Sequence, residues 1–175
     1  MNIDSIRTAD TSDAKAISQL VNEAYRPELG AQGWTHESNL VSGDRTNAGQ
    51  VIEAILKKDS AILLGLKDSD IVACVHIEKA GNSCHIGMLA VQPNLQAAGI
   101  GKAMLAQAEY YASVNFGAKK IIMLVVSART ELISFYLRRG YRKTGEVMDY
   151  PLSGAGMPKC RGLNVERLGK NLGEV

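Results

Sequence analysis

The stretch from Ser83 to Val126 constrains this chain more than any other. A strand-like run, Ser83 to Val91, precedes Gly99 to Ala112, where Ile100, Met104, Leu105, Ala108, Tyr111 and Ala112 fall on one helical stripe. A second apolar run, Lys120 to Val126, follows. Strand, helix and strand in that span form a crossover unit, which makes the two strands parallel neighbours. Upstream, Ala61 to Leu66 and Ile71 to Glu78 lead into the first of them through the short turns Lys67-Asp68-Ser69-Asp70 and Lys79-Ala80-Gly81-Asn82. These three runs are therefore expected to form an antiparallel meander, giving an α+β unit with a mixed sheet.

The flanks add helices. Asp13 to Tyr25 places Ala16, Ile17, Leu20, Val21 and Ala24 at helical spacing, with Thr11 or Ser12 as the expected cap and Pro27 after its end. Residues 27 to 49 show neither period and read as a long loop before a second short helix near Val51 to Lys57. A further helix, Glu131 to Arg139, starts at Thr130 and stops at Gly140, before strands expected near Tyr141 to Met148 and Lys159 to Arg167.

Composition narrows the class. At roughly 100–200 residues per domain, 175 residues make one domain spanning 1–175, with no repeat, linker or low-complexity segment. Twenty Lys and Arg against 18 Asp and Glu give a net charge of only +2, and 46% of residues are hydrophobic, so disorder and a strongly basic nucleic-acid binder are excluded. Apolar runs such as Ile121 to Val126 fall far short of the roughly 18 residues of a membrane span. No basic-then-apolar segment opens the chain, and Cys74, Cys84 and Cys160 are an odd number without C-x-x-C spacing, which fits a reducing, cytoplasmic location. Adjacent Cys84 and His85 would point to opposite faces of a strand, so no metal site is expected. No nucleic-acid or membrane partner is expected, and the chain is read as a monomer or homodimer.

The segment Val91-Gln-Pro-Asn-Leu-Gln-Ala-Ala-Gly-Ile-Gly-Lys102 runs from a strand end into a helix start. Helix starts expose unpaired N–H groups and the positive end of the dipole, and glycines let a ligand approach the backbone. From Lys79 through Ala108 there is no Asp or Glu, although acids favour a first helical turn. The missing negative charge is expected to arrive with a ligand, with Lys102 adding a cation. A P-loop would need Gly at Gln96 and a hydroxyl at Ala103, and a dinucleotide fingerprint Gly99-x-Gly101-x-x-Met104 lacks its third glycine.

Gln96-x-x-Gly99-x-Gly101, after a strand ending Leu89-Ala90-Val91-x-Pro93, resembles the acyl-CoA pyrophosphate loop of the GNAT superfamily of N-acetyltransferases. Phe135-Tyr136-Leu137-Arg138-Arg139-Gly140-Tyr141 looks like that family's second signature, and the order of elements agrees along the chain. The resemblance implies a mostly antiparallel sheet of about seven strands flanked by about four helices, splayed between the strands 83–91 and 120–126. It implies acetyl-CoA as co-substrate and no metal. Backbone groups of Leu89, Ala90 and Val91 would pair with the pantetheine arm, and the N–H groups of Gln96, Ala97, Ala98, Gly99, Ile100, Gly101 and Lys102 would take the pyrophosphate. A backbone N–H near Leu89 or Ala90 would face the thioester oxygen.

The implied reaction is acetyl transfer to a primary amine, taken to belong to a small molecule. A lysine-like amine is only about 0.04% neutral at pH 7, so a base, direct or through water, would help. By position in the family pattern Tyr136 is the expected acid for the departing thiolate, its other reading being a residue that packs with Leu132 and Ile133. By the family pattern His85 stands where several relatives carry a catalytic glutamate. By strand alternation it shares a face with Gly87 and Leu89, a parity that a bulge expected near the strand's end would weaken. The other reading of His85 is a histidine satisfied on a packed strand face; His76 and Glu78 are alternatives. Where many relatives place an asparagine, this chain has Arg129, which either reaches phosphate or sits on the surface. Acceptor selectivity is expected from the long loop, Gly33-Trp34-Thr-His36-Glu37 through Gly43-Asp44-Arg45, and from Tyr150 to Lys159; Trp34 either covers the acceptor or anchors the loop onto the core. Rival readings are an acyl-CoA-binding regulatory module without turnover and a protein N-acetyltransferase.

Overall fold

The computed structural model describes residues 3–27, 36–151, 156–159 and 162–173. In chain order the elements are β1 (Ser5–Thr8), α1 (Ala14–Tyr25), β2 (Val41–Ser42), α2 (Ala48–Leu56), β3 (Ser60–Lys67), β4 (Asp70–Ala80), β5 (Ser83–Val91), α3 (Ile100–Phe116), β6 (Lys120–Val126), α4 (Thr130–Leu137), β7 (Arg142–Asp149), β8 (Met157–Pro158) and β9 (Asn164–Asn171). Seven strands form one sheet in the order β1-β3-β4-β5-β6-β9-β7, and β2 and β8 pair as a separate ribbon. Every pairing in the large sheet is antiparallel except β5 with β6, which is the crossover that the sequence pattern requires.

Each face of the sheet is covered by helices. On one face Met104, Leu105, Ala108 and Ala112 of α3 pack on Leu63, Ala73, Val75, Ile77, Ile121 and Met123, joined by Ile133 and Tyr136 of α4. On the other, Ile17, Leu20 and Val21 of α1 and Val51 of α2 cover Ile62, Leu64, Cys74, Met88 and Ala90. Ile17, Val21 and Val51 have no exposed surface, so each contributes roughly 1.5–3 kcal/mol through burial.

Element ends differ from the expectation in instructive ways. The N-terminal cap is Asp10 rather than Thr11 or Ser12: its carboxylate accepts from Ser12 N at 2.8 Å, and Asp13 accepts from Asp10 N at 2.9 Å, closing a capping box before α1. Helix α3 runs past Ala112 to Phe116 because Gly117, at φ +64°, is the residue that can turn left-handed and end it. Strand β9 begins near Asn164, later than the expected Lys159, since Met157 and Pro158 belong to the small ribbon.

The decisive irregularity lies in β5. Its pairing with β4 shifts register between Cys74 and His76, and Met88 takes φ +47°. This bulge reverses the strand's faces: Cys84 and Ile86 enter the core beneath α3, whereas Met88 and Ala90 enter the core beneath α1.

Candidate active site

Strand β5 pairs with β6 only through Ser83, Cys84 and His85, opposite Lys120, Ile121 and Ile122. Beyond that point β6 continues to Val126 beside β9 alone, so the sheet opens between β5 and β6. A cavity of about 380 Å³ occupies the opening on the side of α3, lined by Leu89, Ala90, Val91, Gln96, Ala97, Gly99, Gly101, Lys102 and, from α4, Leu132, Phe135 and Tyr136.

The start of α3 faces this cavity without a cap of its own. Gly99 stands at the cap position with φ +86°, no side chain caps the helix, and its first turn carries no acid. A Cβ built on Gly99 would meet nothing within 4 Å, so glycine is required by the backbone conformation and not by crowding. Ala97 also has a positive φ, +64°, which turns the loop so that successive N–H groups converge. Lys102, Arg138 and Arg139 add cations to the lining, and none of the described lining residues is acidic. Arg139 stacks 3.6 Å above the Phe135 ring and donates to the Phe135 carbonyl at 2.7 Å, while its buried Nε has no hydrogen-bond partner among the described residues. Burial lowers its pKa from the usual guanidinium value. A polyanion such as a pyrophosphate fits every one of these features.

A second cavity, of about 170 Å³, opens on the far side of the gap and is lined by Glu37, Arg45, Gly87, Met88, Leu124, Val125, Tyr150 and others. The two cavities share Tyr25, Leu89, Arg129, Leu132 and Tyr136, which mark their junction. Tyr136 is only 5% exposed, and burial, with a smaller contribution from Tyr25, raises its pKa well above the ordinary phenol range. Its hydroxyl therefore remains protonated throughout the neutral range.

Glu37 organises the second cavity. It is 3% exposed, and its Oε1 accepts from Arg26 Nε at 2.9 Å and Nη2 at 2.6 Å, while Oε2 accepts from Arg129 Nη1 at 3.4 Å. Arg26 also donates to Tyr150 Oη at 3.0 Å and to the Gly43 carbonyl at 2.8 Å. Arg45 and Arg129 each lie 5.5 Å from the Tyr25 ring centroid. Asn22 fixes the backbone beside Arg45: its Oδ1 accepts from Arg45 N at 2.8 Å and Thr46 N at 3.1 Å, and its Nδ2 donates to the Thr46 carbonyl at 2.9 Å.

The residue model of the acetyltransferase (GNAT) family matches positions 16–141, more than half of the sequence. The chain belongs to the GNAT acetyltransferase family. No curated relative matches it at a significant level. Among solved structures it is similar to the ribosomal-protein-S18-alanine N-acetyltransferase of Escherichia coli (14% identity, TM-score 0.71, covering 100% of this chain and 96% of that one). It is also similar to the Paia N-acetyltransferase of Thermoplasma acidophilum in complex with coenzyme A (17%, TM-score 0.70, 98% and 100%). A spermidine N-acetyltransferase chimera from Vibrio cholerae and a human enzyme gives 14%, TM-score 0.69, 95% and 94%. At these identities the likeness is one of fold; the enzyme class, acyl-CoA-dependent N-acetyltransferase, comes with the family.

Within this GNAT fold the residues singled out by sequence fall in different places, and Ala98 is exposed and lines neither cavity. Leu89, Ala90, Val91, Gln96, Ala97, Gly99, Gly101, Lys102 and Tyr136 line the first cavity, and Ile100 starts the helix with a buried side chain. His85 lines neither cavity: it is exposed in the paired part of β5, opposite Glu78, and the bulge leaves it on the face of Gly87 but not of Leu89. His76 and Glu78 lie on the α2 side, where His76 shares a 2.8 Å hydrogen bond with Ser60 Oγ and Glu78 pairs with Lys57, and they also line neither cavity. Arg129 is not superficial: it is buried against Glu37 and lines both cavities. Trp34 lies outside the described residues.

Sequence reasoning assigned no role to Tyr25; Glu37, Arg45 and Tyr150 fall within the two stretches expected to set acceptor selectivity, but none was singled out there. A glutamate in a glycine-rich loop carries no local signal, and its arginine partners stand 11 residues before it and 92 after it. Arg138 and Arg139 were legible as part of the second signature, and the structure adds that they line the first cavity.

Proposed function

We propose that this chain transfers an acetyl group from acetyl-CoA to the primary amine of a small molecule by direct attack within a ternary complex. The supporting observation is the junction: two cavities of different chemistry meet at Leu89 and Tyr136, one suited to a polyanionic donor and the other to an acceptor. Acetyl-CoA supplies the activated thioester. The backbone of Leu89 to Val91, left without a strand partner on the β6 side, orients the pantetheine arm, and the N–H groups from Gln96 to Lys102 bind the pyrophosphate.

In the transfer a C–N bond forms, the C–S bond breaks, and one proton passes from nitrogen to sulfur. The Tyr136 hydroxyl donates to the sulfur as its charge develops, and its high pKa suits a group that keeps its proton until then. Glu37 is the one carboxylate lining either cavity among the described residues, and its oxygens already accept from Arg26 and Arg129. Solvent therefore takes the amine's proton, and His85, exposed on the paired end of β5, is given no proton to carry.

Calorimetry and thiol detection test the reading together. Acetyl-CoA should bind without added metal, and a panel of amines should release CoA with at least one acceptor. Magnesium-dependent ATP binding without CoA binding would overturn the donor assignment; CoA binding with no turnover on any amine or peptide N-terminus would favour a regulatory module. Exclusive use of a peptide N-terminus would move the acceptor from small molecules to proteins.

A further inference from the structure

Among the described residues, the charged side chains lining the acceptor-side cavity are two arginines and one carboxylate, Arg45, Arg129 and Glu37. Glu37 is already the shared partner of Arg129 and of Arg26, which lies behind it. Arg45 stands outside this cluster: among the described residues no carboxylate lies within ion-pair distance of its guanidinium, which sits instead against the Tyr25 ring. It is half-buried, and Asn22 holds its backbone. Its field extends to β4, where burial lowers the His76 pKa against the opposing pull of Glu78, and Lys57 and then Arg45 add smaller contributions in the same downward direction. A half-buried guanidinium without an anion has lost part of its hydration with no charged partner in return, and a ligand anion restores the balance.

Position adds to charge. Tyr25 belongs to both cavities, so Arg45 stands one aromatic ring away from the junction where nitrogen meets thioester. An anion held there would be only a few bonds from the attacking amine. Apart from the tyrosines Tyr25, Tyr136 and Tyr150, much of the remaining lining, including Met88, Met123, Leu124, Val125 and Val126, is apolar. A second ammonium group, as in a polyamine, would face Arg45 and Arg129 with Glu37 already committed.

We propose that the acceptor amine also bears an anionic group, a carboxylate or a phosphorus oxyanion, that pairs with Arg45. The acceptor class is thus short amino acids and their phosphorus analogues, and not polyamines or simple alkylamines. This rests on the acetyltransferase reading above and refines its acceptor.

Matched probes test it. L-Methionine and L-phenylalanine are compared with 3-(methylthio)propylamine and phenethylamine, with aminoalkylphosphinic analogues as a separate arm and spermidine as the polyamine. The acid-bearing member of each pair should have the higher kcat/KM, by roughly 100-fold, mainly through KM. In Arg45→Gln that preference should shrink at least tenfold, and Arg45→Lys should restore part of it, for a phosphinate more than for a planar carboxylate. Thermal melting of both variants confirms folding. Equal or better use of the uncharged-tail amines or of spermidine by the wild type, or an undiminished preference in a folded Arg45→Gln protein, overturns the proposal. Where acetyl-CoA binds but nothing turns over, calorimetry of the CoA-loaded protein with N-acetylmethionine and N-acetylphenylalanine decides: binding weakened by Arg45→Gln supports it, and no binding of either overturns it. Failure of acetyl-CoA itself to bind defeats the underlying reading instead, and the two failures are thus distinct.

Discussion

At its first three residues β5 is an interior strand, with Ser83, Cys84 and His85 beside Lys120, Ile121 and Ile122. At its last five, Gly87 to Val91, the same strand lies in mid-sheet yet has lost its neighbour on one side, and two cavities occupy the space. Backbone groups left unpaired in a protein interior are costly, so an opening in mid-sheet persists where a ligand is to complete the pairing. The bulge at Met88 separates the two regimes, and it also hands the strand's side chains from the α3 core to the α1 core. Chemistry is thus expected to respond to changes at the open end and to ignore those at the paired end.

The largest expected effect is at Tyr136, in the junction. Tyr136→Phe should lower kcat by roughly 10²–10⁴-fold with little change in acetyl-CoA affinity by calorimetry, because only the hydroxyl is removed. Near-normal turnover would make Tyr136 a packing residue, and the proton donor would be water.

Glu37→Gln asks whether the acceptor wall depends on its buried charge cluster. Removing that charge takes from Arg26 and Arg129 the buried carboxylate they share, and stability by urea titration should fall by about 3 kcal/mol. An unchanged midpoint would show that the wall stands without that carboxylate.

Gly99→Glu places a negative charge where the pyrophosphate is expected and should weaken CoA binding by roughly 100-fold. At φ +86° any side chain is strained, so a stability cost of about 1–2 kcal/mol should accompany the change, with the fold retained. Unaltered CoA affinity would move the anion site elsewhere.

At the paired end the effects should be small. Burial holds the His76 pKa below the ordinary imidazole value, and a depressed folded pKa contributes stability above the unfolded value of roughly 6.5, lost as pH falls through the folded one. Melting temperature should therefore decline on acidification below about pH 6.5, and His76→Gln should flatten that part of the profile. His85→Ala should leave turnover within about twofold, as expected of an exposed surface position; a large loss would abolish the distinction between the two ends.

Much of this was legible beforehand because it is local. The meander, the crossover, the glycine-rich start of α3 and the signature around Tyr136 each lie within one stretch of chain, where periodicity or spacing can reveal them. A bulge near the end of β5 was expected, but alternation does not say at which residue it falls, and its place at Met88 parts His85 from Leu89. The two-residue strands β2 and β8 are too short to show any period. Hardest to read was the acceptor wall: Arg26, Glu37, Arg129 and Tyr150 meet only after α1, α4 and the end of β7 have been brought together, and pairings across such separations leave no trace in composition.

The carboxamide of Asn22 stands in for a missing strand rung, holding Arg45 and Thr46 through three hydrogen bonds to their backbone. In kinetic terms, this part of the acceptor wall is ordered before any substrate arrives and travels with α1 as one piece. Capture on that side thus needs no slow folding of residues 45–46, and loosening the tether should appear first as a slower association rate rather than as a damaged chemical step.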